Sequence, residues 1–353
     1  MSYKDALSAL HLEMPTTIPR TEYSTSIHYP LMSAVTGNHV DANSSPAEKD
    51  TAIRAFEKAW NFGLTWDVDI FANAFGDKRT KMGHAAYHAD GSDYDNDITS
   101  YFKDEDDVFA FDPWEAFGEL DIEKTRQFFN TRLAQKQSLH PEQVCTCGTY
   151  VTLMSGMIDL FGWDLLLTAI GVDPKATGKM ANRYAAWFRQ YLEALAKSDT
   201  EVFMVHDDIV WTSGAFADAQ WYRDYIFRNY ESLFDPLLQT KRKLLYTSDG
   251  DYTAFIDDIA ACGVNGFVME PTTDMAYIAK NYGQTHAFIG NADCRILMYG
   301  DKDAIHAEVK RCVDIGRDCP GFFMATGNHI PPNVPVENAL RYQDAFATLS
   351  QRR

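Results

Sequence analysis

Between residues 201 and 329 the chain repeats one pattern five times: a short β-branched or aromatic run ends in polar residues, and an amphipathic stretch follows. The runs span 201–205, 243–246, 266–269, 287–289 and 321–324. They end at His206-Asp207-Asp208, Thr247-Ser248-Asp249-Gly250, Glu270-Pro271, Gly290-Asn291-Ala292-Asp293 and Gly327-Asn328-His329. Strand-then-helix units in succession require a parallel sheet with helices outside it, because parallel neighbours need a long crossover. With an earlier strand at 65–71 and room for two more, the α/β fold expected is a (β/α)8 TIM barrel. A doubly wound sheet is the alternative, and the lack of a Gly-x-Gly-x-x-Gly turn after the first strand counts against it.

Residues 1–45 are rich in Pro, Ser, Thr and Asn and read as an irregular N-terminal arm packed on a single barrel domain, 46–353. The barrel opens on a helix whose start is written in Ser45-Pro46-Ala47-Glu48: a Ser-x-x-Glu capping box with proline at the first helical position. Ile53, Phe56, Ala59 and Trp60 supply its apolar face, and it stops near Gly63. Residues 76–123 are acidic and broken by Gly, Asp and Pro, and include His84 and His88. A long irregular insertion in a compact domain is usually a lid or a binding loop. Helical sequence resumes from Gly148 and again over 182–197.

With 32 Lys+Arg against 50 Asp+Glu, the 353-residue chain carries a net charge of −18. That excess excludes nucleic acid and anionic membranes as partners, since both need basic surface. No run reaches the roughly 18 apolar residues of a membrane span, and the first residues lack a signal core, so a cytoplasmic protein is expected. The six cysteines are few and show no CxxC pair, which reads as free thiols; Cys145-x-Cys147 has no second pair to complete a zinc site. The oligomeric state is open, a homodimer through a barrel edge included.

In such barrels the strand C-termini converge on one mouth. The polar run-ends therefore form a candidate site: His206, Asp207, Asp208, Asp249, Glu270, Asn291, Asp293, Asn328 and His329, with no lysine or arginine among them. Clustered carboxylates repel one another and raise their own pKa values unless a cation or protons intervene. A divalent metal resolves that conflict, and zinc accepts both imidazole and carboxylate donors. The competing account for each carboxylate is that it caps the following helix. His329, in a turn bounded by Gly and Pro, is the residue least explained by packing.

Several of these motifs resemble the uroporphyrinogen decarboxylase superfamily: Gly266-Phe267-Val268-Met269-Glu270, Phe288-Ile289-Gly290-Asn291-Ala292-Asp293, Ala307-Glu308-Val309 and Gly327-Asn328-His329-Ile330-Pro331-Pro332-Asn333-Val334-Pro335-Val336-Glu337-Asn338. The helical stretch 148–171 and Met82-Gly83-His84 extend the resemblance over most of the chain. Porphyrinogen decarboxylases of that superfamily grip their substrate with an arginine-rich N-terminal segment, where this chain offers only Arg20. An acidic site suits an octacarboxylate poorly. The chain is more similar to the other large branch, the corrinoid-dependent methyltransferases, which implies a partner corrinoid protein carrying cobalamin. Thiol-methylating members of that branch hold zinc through His-x-Cys after one strand and a Cys before the final turn. Here those places read Thr247-Ser248-Asp249 and His329, harder donors that fit an ether or phenolate oxygen better than a thiol.

The nearest subgroup resembled is the aryl methyl ether O-demethylases. Their acidic-x14-acidic-x20-His spacing is met by Asp293, Glu308 and His329. Glu308, however, lies about two turns into a helix, which carries it ~9 Å from the mouth. Asp249, Glu270 and His329 are therefore the preferred zinc ligands, with Asp293 and Glu308 behind them. His206 or Asp207 is the expected proton donor for the leaving phenolate, and Asp249 joins them at the reacting centre. Substrate contacts fall to His84, Asp208, Asn291, Asp293 and Asn328. The reaction implied is methyl transfer from a small methoxylated compound to cob(I)alamin. Two alternatives stay open: another methyl donor or a folate acceptor on the same fold, and a barrel that binds a small ligand without chemistry.

Overall fold

A computed structural model describes residues 2–23, 25–81 and 99–352. The expected lid residues His84 and His88 lie outside them. The strands follow one another in chain order: β1 (Thr146–Thr149), β2 (Val202–His206), β3 (Lys243–Ser248), β4 (Gly266–Met269), β5 (Ala287–Ala292) and β6 (Phe322–Thr326). Each of the five runs read from the sequence is one of these strands, displaced by no more than a few residues at either end. Helices separate them, including Pro174–Ala196, Arg228–Leu238 and Lys302–Gly316.

Two compact units interleave along the chain, one of Met1–Trp66, Ala134–Thr146 and Gly266–Arg353, the other of Asp67–Leu133 and Cys147–Asn265. In the first unit β4, β5 and β6 pair in parallel, with Phe267 opposite Phe288 and Ile289 opposite Phe323. Every residue of these strands is buried, as expected for a parallel sheet covered on both faces. Part of the N-terminal arm joins this unit's pairing: Arg20 bridges Met324 on one side and Phe62 on the other, both in parallel. The arm also forms the helices Ser2–Leu10 and Tyr29–Thr36, which its Pro/Ser/Thr content conceals. The helix Pro46–Ala59 begins at the capping box read from the sequence, with both reciprocal bonds between Ser45 and Glu48 present.

In the second unit β2 pairs with β3 in parallel from Val202–Lys243 to His206–Thr247. β1 approaches β2 so closely that a Cβ on Gly148 would lie 1.7 Å from the Met204 carbonyl oxygen, so only glycine fits there. The expected strand at 65–71 is interrupted; its last residues meet the chain through Ile70, which bridges Thr149. Among the described residues no single helix is long and apolar enough to cross a membrane. All six cysteines are free.

His28 shows how the first unit secures an irregular segment. Its Nδ1 accepts the Leu31 amide at 3.2 Å, capping Tyr29–Thr36, and its Nε2 lies 2.8 Å from the Val334 carbonyl oxygen. That pattern requires a neutral ring, with the proton on Nε2. Burial accordingly lowers the pKa from 6.5, and the Val334 carbonyl only partly offsets this. With the folded value depressed, the unfolded chain binds more protons, so the contribution is present above pH 6.5 and is lost as pH falls through the window below it. Thermal melts at about pH 7.5 and about pH 5.5 should show a smaller acid-induced loss in His28→Gln than in the wild type; equal losses would exonerate His28.

Candidate functional site

The second unit assembles a compact polar cluster from the ends of β2 and β3. His206, the last residue of β2, is 6 % exposed, and its Nε2 lies 3.4 Å from Oδ1 of Asp208. The same Asp208 oxygen accepts the Asp249 amide at 2.9 Å. His206, Asp208 and Asp249 each offer one ligand atom, and these atoms lie within 4.8 Å of one another. Burial lowers the His206 pKa against the opposing pull of Asp249 and Asp207, which favours a neutral ring able to donate a lone pair.

Asp207 between them is fully buried and serves the backbone. Its carboxylate accepts the amides of Leu153 (3.1 Å), Met154 (3.0 Å) and Ser155 (2.7 Å) at the start of the helix Met154–Phe161, together with the Tyr230 hydroxyl. Tyr246 donates to its main-chain carbonyl. Burial raises the carboxyl pKa, and these donors oppose the rise. Asp207 is therefore not placed as the proton donor expected from the sequence: its oxygens are occupied by the helix and a tyrosine.

The loops carrying Asp208 and Asp249 are tied to each other. Besides the Asp249 amide, the Asp251 amide donates to the Trp211 carbonyl oxygen at 2.9 Å, and Ser155 Oγ accepts the Asp208 amide at 2.7 Å. Gly250 makes this closeness feasible: its φ is +81°, and a Cβ there would lie 2.6 Å from the Trp211 carbonyl oxygen. Tyr150, just after β1, stacks on the His206 imidazole with ring centroids 4.0 Å apart and planes 10° from parallel. Sequence reasoning missed this residue, because the chain from Gly148 onward reads as helical and the strand Thr146-Cys147-Gly148-Thr149 is short and broken by a glycine.

The remaining sequence-derived residues among those described belong to the first unit. Glu270, after β4, accepts from Asn328 Nδ2 at 2.8 Å, and its charge partly counters the burial that lowers the His329 pKa. Asn291 donates to the carbonyls of Glu270 and Thr273 and accepts from Arg311. Asp293 caps the helix Cys294–Tyr299 and pairs with Arg295 at 2.7 Å. Glu308 pairs with Arg311 at 2.7 Å and accepts the Asp293 amide. Asp293 and Glu308 thus carry out structural bonding through two arginines that lie outside the strand ends.

Arg20, the one arginine of the arm, is 1 % exposed. It pairs with Glu22 at 2.8 Å and lies over Trp60 (4.2 Å) and Tyr342 (4.7 Å). Glu22 also accepts from Tyr342 and from the amide and hydroxyl of Thr326. Arg20→Met strands the Glu22 charge in the interior and should lower unfolding stability by about 3–5 kcal/mol. Arg20→Met combined with Glu22→Gln should recover much of that in denaturant titrations, and a double variant as unstable as the single one would refute the pairing account. Gly250→Ala should cost about 1 kcal/mol or more through its left-handed φ and the crowding against Trp211; an unchanged denaturation midpoint would mean that the loop can relax.

The description "Uroporphyrinogen decarboxylase (URO-D)" matches residues 141–349. Among curated relatives, the uroporphyrinogen decarboxylase of Alcanivorax borkumensis is 28% identical over 184 residues, 51% of this chain and 50% of that protein. That of Geobacter sulfurreducens is 24% identical over 208 residues, 58% and 59% respectively. The chain spans about half the length of the curated relatives it matches. A solved structure of a methyltransferase from Methanosarcina mazei superposes with a TM-score of 0.65 at 16% identity and covers 98% of both chains. The match over more than half the sequence places the chain, with its parallel strands, alternating helices and TIM-barrel fold, in the uroporphyrinogen decarboxylase family.

Proposed function

We propose that this chain is a corrinoid-dependent methyltransferase that demethylates a small methoxylated compound, of the aryl methyl ether class, with a corrinoid protein as its partner and a zinc ion on His206, Asp208 and Asp249. The observation that carries the reading is that cluster: one imidazole nitrogen and two carboxylate oxygens within 4.8 Å, with His206 buried and both carboxylates half-buried. The donor set fits the ion, because two carboxylates and a neutral imidazole match a divalent charge and three protein ligands leave a coordination position for substrate. Once bound, the metal supplies Lewis acidity toward an ether oxygen, and the corrinoid supplies the nucleophile that takes the methyl group.

The chain's own residues supply the geometry. Asp207, fixed to the start of Met154–Phe161, anchors the end of β2 on which His206 and Asp208 sit. The bond from the Asp249 amide to Asp208 fixes the spacing of the two carboxylates. Nitrogen and oxygen donors favour an oxygen leaving group over a thiolate. Against the decarboxylase activity of the curated relatives stands Arg20, whose guanidinium is engaged by Glu22 and aromatic rings in the interior.

Metal analysis of the wild type beside His206→Ala and His329→Ala is the first test. About one zinc per chain, lost in His206→Ala and kept in His329→Ala, supports the cluster as the metal site. The converse pattern moves the assignment to Glu270 and His329. Incubation with cob(I)alamin and a panel of aryl methyl ethers, methylamines and thiols then reads out the donor. Methyl transfer from the ethers is expected, transfer from another class replaces the substrate, and no transfer from any donor with a zinc-loaded protein refutes the enzyme.

A further inference from the structure

We infer that Tyr150 is the positioning residue for His206, holding the imidazole in place for a metal by ring stacking. The inference rests on the reading of His206, Asp208 and Asp249 as a metal cluster and adds a residue to it. A metal-binding histidine is normally oriented through its second ring nitrogen, which donates to a carboxylate or a carbonyl. At His206 one nitrogen, Nε2, faces Asp208 at 3.4 Å. The other, Nδ1, is buried, and the main chain of Tyr150 hydrogen-bonds the ring.

One main-chain contact alone leaves the ring latitude about χ2, a broad torsion with little intrinsic preference. The Tyr150 ring prevents this. It lies 4.0 Å from the imidazole and 10° from parallel, so a turn toward edge-on would drive ring atoms into the phenol face. Tyr150 is itself held by Phe71, whose ring stacks on it at 5.6 Å and 27°, and its amide donates to the Ile70 carbonyl at 2.8 Å. These contacts fix the plane in which Nε2 presents its lone pair. The electron-rich phenol face also favours an imidazole that has given up electron density to a cation. The feature required of residue 150 is therefore a flat aromatic face, not a hydroxyl.

The test compares Tyr150→Phe, which keeps the face, with Tyr150→Leu and Tyr150→Met, which remove it. Zinc dissociation constants are measured by competition with a chromophoric chelator, and urea midpoints are followed in parallel. Tyr150→Phe should bind zinc within about twofold of the wild type, while Tyr150→Leu and Tyr150→Met should bind about 10- to 100-fold more weakly, the loss typical of an orienting partner, with urea midpoints that do not track that loss. In the metal-free protein, the ring-proton resonances of His206 should move downfield in the Leu and Met variants as the ring current of Tyr150 is removed, and stay in place in Tyr150→Phe. Zinc affinity unchanged in the Leu and Met variants overturns the inference and leaves the metal cluster standing. An equal loss in Tyr150→Phe overturns it in favour of the hydroxyl. A wild-type protein that binds no zinc overturns the metal reading and the inference with it.

Discussion

The buried carboxylate of Asp207 is the interaction on which the candidate site depends. Burying an ionised group is costly unless its lone pairs are satisfied. Here three successive amides at a helix start and a tyrosine hydroxyl meet that need, in a place where the helix dipole also favours negative charge. The consequence reaches the neighbours. The chain is still extended at this point, since the Asp207 amide continues the ladder to the Thr247 carbonyl, and side chains alternate along an extended chain. Committing Asp207 to the helix Met154–Phe161 therefore sends His206 and Asp208 together to the other side, where Asp249 meets them from β3.

This explains which parts of the site could be read from residues and which could not. The strand ends were legible because β-branched runs broken by polar residues are a local signal, and His206, Asp208 and Asp249 were singled out on that basis. The division of labour among His206, Asp207 and Asp208 was not legible, because it depends on a helix some fifty positions earlier in the chain. Tyr150 was hidden for a related reason: β1 is short, carries a glycine forced by its approach to β2, and runs into a stretch that reads as helical. The pairing of the arm through Arg20 with Met324 and Phe62 is likewise a tertiary event with no local pattern behind it.

Charge tells the same story from the other direction. The strand-end residues themselves include no lysine or arginine. The structure brings arginines in from elsewhere: Arg295 from the first turn of the next helix, Arg311 from the third turn of Lys302–Gly316, and Arg20 from the arm. Each settles on one carboxylate of the first unit, so the spacing of Asp293, Glu308 and His329, which invites a metal reading in one dimension, contains two carboxylates already bound to guanidinium groups.

In the second unit the strand-end carboxylates face an imidazole instead. A guanidinium is always charged and would neutralise Asp208 and Asp249 permanently, whereas a ring kept neutral by burial leaves their charge for a ligand that arrives later. The same burial that lowers the His206 pKa strengthens any interaction made inside the cluster, because fewer waters screen it. An arrangement of this kind gains little stability for the fold, since two carboxylates held by a tight loop contact repel one another. On the proposed function its physical sense lies in what it would bind: a small cation of charge two, held by nitrogen and oxygen, beside a stacked aromatic ring and a glycine-tightened loop.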